Sequence, residues 1–250
     1  MRNFKFLLTL GLTAIVFCSY SQESADSTAT KSNEQLTYDK GAVINGVKWA
    51  TRNVDAPGTF AAKPEDFGMF YQWGKNIGWS YKSPIIASDG TNKWDQYWEW
   101  TKGGKRVKEG TWTGGDMITW ERNNQPCPKG WRLPTTEELK ALAKAKGKWS
   151  EINGVKGYTF GSGSNSIFIP AAGSVSGSYQ GSFKNQVFKI GHFGSNTEGR
   201  IWADTKYKYE SPSEGHTANT LFIDKYNVMV NVKNNRTAID VGLSCRCVSE

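Results

Sequence analysis

Histidine is almost missing from this chain, with only His192 and His216 in 250 residues. Neither stands at a metal-ligand spacing, and there is no HExxH, GxSxG or Cys–His nucleophile signature. No catalytic residue, metal site or cofactor site is therefore read from the sequence. Gly161-Ser162-Gly163-Ser164 lacks the lysine and following helix of a phosphate-binding loop, and reads as a turn. A dense basic patch is also missing. Removing residues 1–21 takes away Arg2 and Lys5 and no acid, so 29 basic against 23 acidic residues leave +6. The lysines and arginines are scattered, with small clusters at Lys102–Lys108 and Lys140–Lys148. That distribution reads as a solvated surface and excludes nucleic acid as a partner.

Long apolar runs are absent beyond the N-terminus, so no transmembrane span is expected after the leader. The leader itself is legible. Met1-Arg2-Asn3-Phe4-Lys5 is a basic n-region, and Phe6 to Phe17 is an apolar stretch of signal-peptide length. Ser19 and Ser21 are the small residues of a cleavage site before Gln22, so residues 1–21 are expected to be a signal peptide. A lipid anchor at Cys18 is the alternative, disfavoured by the bulky Phe17 before it. Cysteine is sparse, with four residues in all. After cleavage Cys127, Cys245 and Cys247 remain. In an oxidising compartment they allow one disulfide and leave one thiol. A chain of this length buries most of its apolar surface without help from the bridge.

Residues 22–40 are polar, rich in serine and threonine, and read as a flexible tether. Asp26-Ser27-Thr28 within it resembles a short O-glycosylation acceptor. Residues 41–250 are expected to form a single domain. Val43 to Trp49 reads as a hairpin around Asn45-Gly46, a pair that tolerates positive φ at both turn positions. Ile152-Asn153-Gly154-Val155-Lys156 repeats the same letters and predicts a second hairpin. Gly68 to Gly74 reads as a buried strand. Lys75 to Gln125 is a long Gly- and Trp-rich stretch without clear periodicity.

The clearest helix is expected at about 136–146. Thr135 is its N-cap, Glu138 completes a capping box, and Leu139, Leu142 and Ala143 form its apolar stripe. Gly147 fits the residue just past its end. Further strands are expected at Ser166–Ile169, Ile201–Ala203, Ala218–Asp224, Val228–Lys233 and Gly242–Val248. Leu243, Cys245 and Cys247 would share one face of the last strand, so either cysteine could reach Cys127. Strands before and after one good helix, without alternation, predict an α+β class.

Five segments in order carry a family resemblance. They are Trp49-Ala50-Thr51-Arg52-Asn53, Phe67 to Gly74, Pro126 to Thr135, Phe168 to Gly173, and Ser244-Cys245-Arg246-Cys247-Val248. Together they resemble the Fibrobacter succinogenes major paralogous domain, abundant in secreted and surface proteins of Bacteroidetes and their relatives. The Arg132-Leu133-Pro134-Thr135 turn also looks like the helix entry of the formylglycine-generating and C-type-lectin-like folds. The resemblance implies a mixed domain of antiparallel sheets with one capped helix and long loops on one face, its first and last strands near each other. It also implies a Cys127–Cys247 disulfide with Cys245 left as a small buried hydrophobe. The chain departs from the family at Ile201-Trp202-Ala203-Asp204, where Tyr-Trp-Ser-Ser is usual, and at Cys245, where valine is usual. It has none of the calcium-and-sugar motifs of lectins. Formylglycine-generating enzymes need paired active-site cysteines, for which only Cys245 and Cys247 are available.

Trp94, Asp95, Tyr97, Trp98, Glu99 and Trp100 are the candidate ligand surface. Flat aromatic faces stack on sugar rings, and carboxylates accept hydrogen bonds from hydroxyls. The competing reading is that Trp94, Tyr97 and Trp98, at helical spacing, are a buried stripe. The expectation is a non-enzymatic recognition module, secreted or on the outer surface or in the periplasm of a Gram-negative bacterium. It would bind polysaccharide or cell-surface glycan through loops at 75–125 and 174–216. A surface protein is the second candidate partner, in adhesion or in an envelope assembly. An enzyme of the formylglycine-generating kind is the third.

Overall fold

A computed structural model of the chain describes residues 36–96, 98–102, 105–109, 119–180, 187–206, 217–230 and 237–250. The expected signal peptide, Cys18 and most of the expected tether lie outside the described residues. Order begins before Gly41: Asp39 is buried, and its carboxylate accepts bonds from the Gly41 and Thr51 amides and pairs with Arg52 at 3.1 Å. Leu36–Glu250 forms one compact unit.

Strands β1 (Ala42–Ile44) and β2 (Val47–Asn53) make the expected first hairpin. Asn45 at φ 48° and Gly46 at φ 82° give the turn the double positive φ that this residue pair tolerates. Two short strands follow, β3 (Phe70–Gln72) and β4 (Gly78–Trp79), then a separate hairpin of β5 (Trp98–Lys102) and β6 (Lys105–Glu109). After β7 (Trp131–Arg132) comes α1 (Thr136–Ala143). Thr135 Oγ1 accepts from the Glu138 amide, and the Glu138 carboxylate accepts from the Thr135 amide at 2.8 Å. Leu139 and Leu142 are fully buried.

The helix ends earlier than expected. Lys144 is its C-cap and keeps helical φ and ψ, and Gly147 opens β8 (Gly147–Ile152) instead of capping α1. β8, β9 (Val155–Ser162) and β10 (Asn165–Pro170) form an antiparallel meander, with the second Asn-Gly turn at Asn153-Gly154.

The remaining chain builds the largest sheet. β11 (Ser174–Gln180), β12 (Val187–Phe193), β13 (Glu198–Lys206), β14 (Thr217–Asp224), β15 (Val228–Val230), β16 (Thr237–Ala238) and β17 (Gly242–Ser244) join β3 and β4 in it. β18 (Arg246–Ser249) leaves that sheet and completes a second one, ordered β1-β2-β18-β7. The expected single strand over 242–248 is thus two strands in different sheets. They part at Cys245, whose carbonyl accepts from the Val54 amide at 2.9 Å.

These strands correct the α+β expectation. The described residues form eighteen strands in four sheets against one complete α-helix of eight residues, which is a mostly-β class and not a mixed domain of the C-type-lectin kind. Hairpin connections supply the architecture, and α1 fills one gap against β13, β14 and β15. One core cluster packs Leu139 and Leu142 with Trp49, Phe160, Ile201 and Leu221. A second gathers Tyr71, Trp73, Trp120, Leu133, Trp202 and Leu243, and it holds the cysteines. Cys127 is bonded to Cys247, Cα to Cα 6.1 Å, and Cys245 is free and buried. Burial pushes the Cys245 thiol well above its ordinary range.

Among the described residues no helix is long and apolar enough to cross a membrane.

Candidate functional site

The chain leaves β2, makes a loop, and returns to β3 across its own path. At the start of the loop Val54 bridges Phe60, and the Asp55 amide donates to the Thr59 carbonyl at 3.0 Å around the Ala56-Pro57-Gly58 turn. At the end, Gly68 sits at φ +68° so close to the outgoing strand that a Cβ would lie 2.1 Å from the Val54 carbonyl oxygen. Only glycine fits that crossing. The crossing brings Asp55 and Asp66 to one opening, with Phe67 and Met69 beside them. Ser80, Tyr81 and Lys82, just past β4, complete the lining of a cleft of about 350 Å³.

The cleft lining combines aromatic and acidic groups. The Tyr81 and Phe67 rings lie 5.1 Å apart, and His192 from β12 stands behind both, 5.5 Å from Tyr81 and 5.9 Å from Phe67. His192 Nε2 is 2.6 Å from the Ala172 carbonyl. That oxygen only accepts, so Nε2 donates to it and the imidazole is fixed behind the two rings. The Lys82 ammonium lies 5.6 Å from the centre of the Tyr81 ring.

In the same lining, Asp66 accepts from the Lys63 amide at 2.9 Å. Among the described residues nothing is bonded to the Asp55 carboxylate. Partial burial, and secondarily the Asp66 charge, raise the Asp55 carboxyl above its usual range.

Of the residues expected to form the ligand surface, Trp94 and Asp95 have described side chains. Trp94 is 6% exposed and packs edge-on against Trp79 at 5.0 Å, so its ring faces the core. Asp95 pairs with Lys75 at 2.6 Å, and its carbonyl takes a bond from Gln72. Tyr97 lies outside the described residues. Trp98, Glu99 and Trp100 are in β5, so the helical spacing of 94, 97 and 98 does not describe a helix, and their side chains lie outside the described part. The cleft draws Tyr81 and Lys82 from the expected working stretch 75–125, and it draws Asp55 and Asp66 from the loop between β2 and β3, where no site residue was expected.

A second polar group surrounds the helix entry. Arg132 grips Glu138 through two bonds, 2.6 and 2.7 Å. Burial alone would raise the Glu138 carboxyl, and the bonds from Arg132 and the Thr135 amide outweigh it and hold it low. Asp204 has no such grip. Its Oδ1 is buried with no hydrogen-bond partner among the described residues, and burial pushes its carboxyl up to about 6 against the opposing pull of Arg132.

A carboxyl at about 6 when folded and near 3.8 when unfolded binds more protons in the folded state. It contributes stability below its unfolded value and loses that contribution as pH rises through about 6. The Asp204→Asn variant lacks this loss. It is expected to gain about 1 kcal/mol on the wild type between pH 4 and pH 7.5, a figure discounted because Asp204 is partly exposed. Urea midpoints of both proteins at the two pH values check this, and an unchanged gap would contradict it.

Among the described residues no group of three or more His, Cys, Asp or Glu is placed to hold a metal ion. Comparison of the chain with protein-family models, with curated proteins and with solved structures found no match in any of the three.

Proposed function

We propose that this chain is a secreted or surface-displayed recognition module that binds carbohydrate in the cleft between the 55–69 loop and Ser80-Tyr81-Lys82. One observation carries the reading: a single cleft is lined by the Tyr81–Phe67 ring pair and by an Asp55 carboxylate that takes no bond among the described residues. A sugar ring has an apolar face to pack on an aromatic ring and hydroxyls to donate to carboxylates, so it satisfies both groups at once. The cleft volume of about 350 Å³ falls within the range of small-ligand sites. The Cys127–Cys247 disulfide supports an oxidising compartment, in keeping with the leader-like N-terminus. The order of five motifs supports kinship with the Fibrobacter succinogenes major paralogous domain. The reading contains no catalytic step.

A glycan array probed with the processed protein tests it. Binding is expected to fall by about tenfold in Tyr81→Ala, a loss of about 1.4 kcal/mol, since the variant removes the apolar face on which the sugar ring packs. Tyr81 also packs on Phe67, Phe70 and His192, so the melting temperature should fall as well, and binding is compared at a temperature where both proteins are folded. An array signal that survives Tyr81→Ala would move the site away from this cleft.

A further inference from the structure

We propose that the cleft selects a sugar carrying a free, protonated amine over the same sugar with a neutral or acetylated nitrogen. This rests on the carbohydrate reading above and names the substrate class of the same site.

The argument begins with the charge inventory of the lining. Asp55 and Asp66 are its two carboxylates, and Lys82 is its single cation. Lys82 is exposed and is placed at the Tyr81 ring, and no ion pair joins it to either carboxylate among the described residues. Asp66 already receives the Lys63 amide. The Tyr71 hydroxyl donates to the Asp55 backbone carbonyl, and the Asp55 carboxylate receives no bond among the described residues.

Two like charges in one half-enclosed cleft repel, and burial weakens the hydration of each. The upward displacement of the Asp55 carboxyl reports that cost, with Asp66 as one of its two causes. A neutral sugar can donate hydroxyls to Asp55 but leaves the excess negative charge in place. An ammonium group supplies the missing donors and the missing charge together. Bonds between ionised partners are roughly twice as strong as neutral ones, so the discrimination should reach about tenfold. The Tyr81 and Phe67 rings assist, because a cation is attracted to an aromatic face and the sugar ring packs on it.

Bulk charge cannot imitate this preference. The chain without its first 21 residues carries +6, so the protein as a whole repels a cationic oligomer. A preference for such an oligomer must come from a local acidic site.

The test is titration calorimetry of the processed protein, at about pH 6 and moderate salt, with two probes: a glucosamine tetramer and its fully N-acetylated counterpart. The glucosamine tetramer is expected to bind about tenfold more tightly. Asp55→Asn keeps the side-chain volume and removes a charge that burial and Asp66 disfavour, so its melting temperature should not fall below wild type. It should bind both tetramers alike. Equal affinity of the wild type for the two probes would overturn the amine preference and leave carbohydrate binding standing. A preference retained in Asp55→Asn would overturn the role of Asp55 and with it this inference. Failure of both tetramers to bind, together with a silent glycan array, would overturn the carbohydrate reading as well.

Discussion

Replacing Arg246 by alanine is expected to cost about 3–5 kcal/mol of folding free energy, among the largest single-residue effects in this protein. The side chain is fully buried, and each of its three nitrogens donates a hydrogen bond. Nε reaches Asn53 Oδ1 at 2.9 Å, one terminal nitrogen reaches the Ala50 carbonyl at 3.0 Å, and the other reaches the Phe168 carbonyl at 2.9 Å. One guanidinium thereby ties β18 to its sheet neighbour β2 and across to β10. All three acceptors are uncharged. Burial pushes the group down to about 9, which still leaves it ionised at neutral pH.

Alanine removes the charge together with every donor, so three buried oxygens lose their partners and a cavity opens. Methionine fills much of the space and leaves the oxygens unpaired, so Arg246→Met should fall between wild type and Arg246→Ala. Lysine keeps the charge but replaces a planar fork with a point donor that cannot reach three divergent acceptors. Urea midpoints and melting temperatures rank the four proteins. For a chain of this size the alanine variant should melt roughly 10 °C lower. A loss under about 1 kcal/mol would mean that water enters and re-satisfies the site.

Arg246 also marks where the sequence misled. Ser244-Cys245-Arg246-Cys247-Val248 looks like one alternating strand, and alternation would turn Arg246 outward. The chain instead changes sheets at Cys245, and both faces of β18 are covered. A run of five residues contains no information about the Val54 amide that captures the Cys245 carbonyl. Local chemistry was legible wherever the cause was local. Asn45-Gly46 and Asn153-Gly154 make turns through their own φ tolerance, and Thr135 with Glu138 starts the helix through bonds three residues apart. The helix end was misread because Gly147 has a distant cause. A Cβ there would lie 2.5 Å from both the Tyr158 ring and the Thr159 carbonyl, so the glycine serves the β8–β9 pairing and not a helix cap. The class was misread for a related reason. β8 and β9 are exposed or half-buried along much of their length, which blurs the period-2 signal.

The cleft was harder still to read. Asp55-Ala56-Pro57-Gly58 has the composition of an ordinary turn, and it is one. What makes Asp55 a candidate is the crossing at Gly68, which brings Asp66 and Phe67 beside it, and the segment just past β4, which brings Tyr81 to the same cleft. Trp94 and Tyr81 are both aromatic residues of the same Gly- and Trp-rich stretch. Only the tertiary contacts send Trp94 against Trp79 and Gly242 and leave Tyr81 at the opening.

Loss of the disulfide should match Arg246→Ala in size and should also reach the cleft. Cys127 and Cys247 are 120 residues apart in sequence, so the bridge closes a loop that contains α1 and most of the large sheet. Closing a loop of that length in the unfolded chain is worth about 4–5 kcal/mol in the chain-entropy account. The Cys127→Ala/Cys247→Ala double variant is expected to lose about 3–5 kcal/mol, and reduced wild type should melt at the same temperature as the variant. Reductant should leave the variant unchanged. A wild-type melting temperature indifferent to reduction, with the thiols shown to be free, would contradict the entropic account.

The functional consequence follows from the neighbouring residue. The Pro126 carbonyl accepts from the Gly58 amide at 2.8 Å, and the Trp131 ring packs edge-on against Phe60 at 5.6 Å. The segment anchored by Cys127 therefore supports the turn that carries Asp55. Freed from Cys247, that segment gains motion, and the Asp55 side of the cleft gains it too. The double variant should bind a glycan more weakly even at temperatures where it remains folded, whereas Arg246→Met, which leaves the 126–131 contacts in place, should lose stability with little loss of affinity. Equal affinity of the folded double variant and wild type would separate the bridge from the cleft and leave it a purely structural bond.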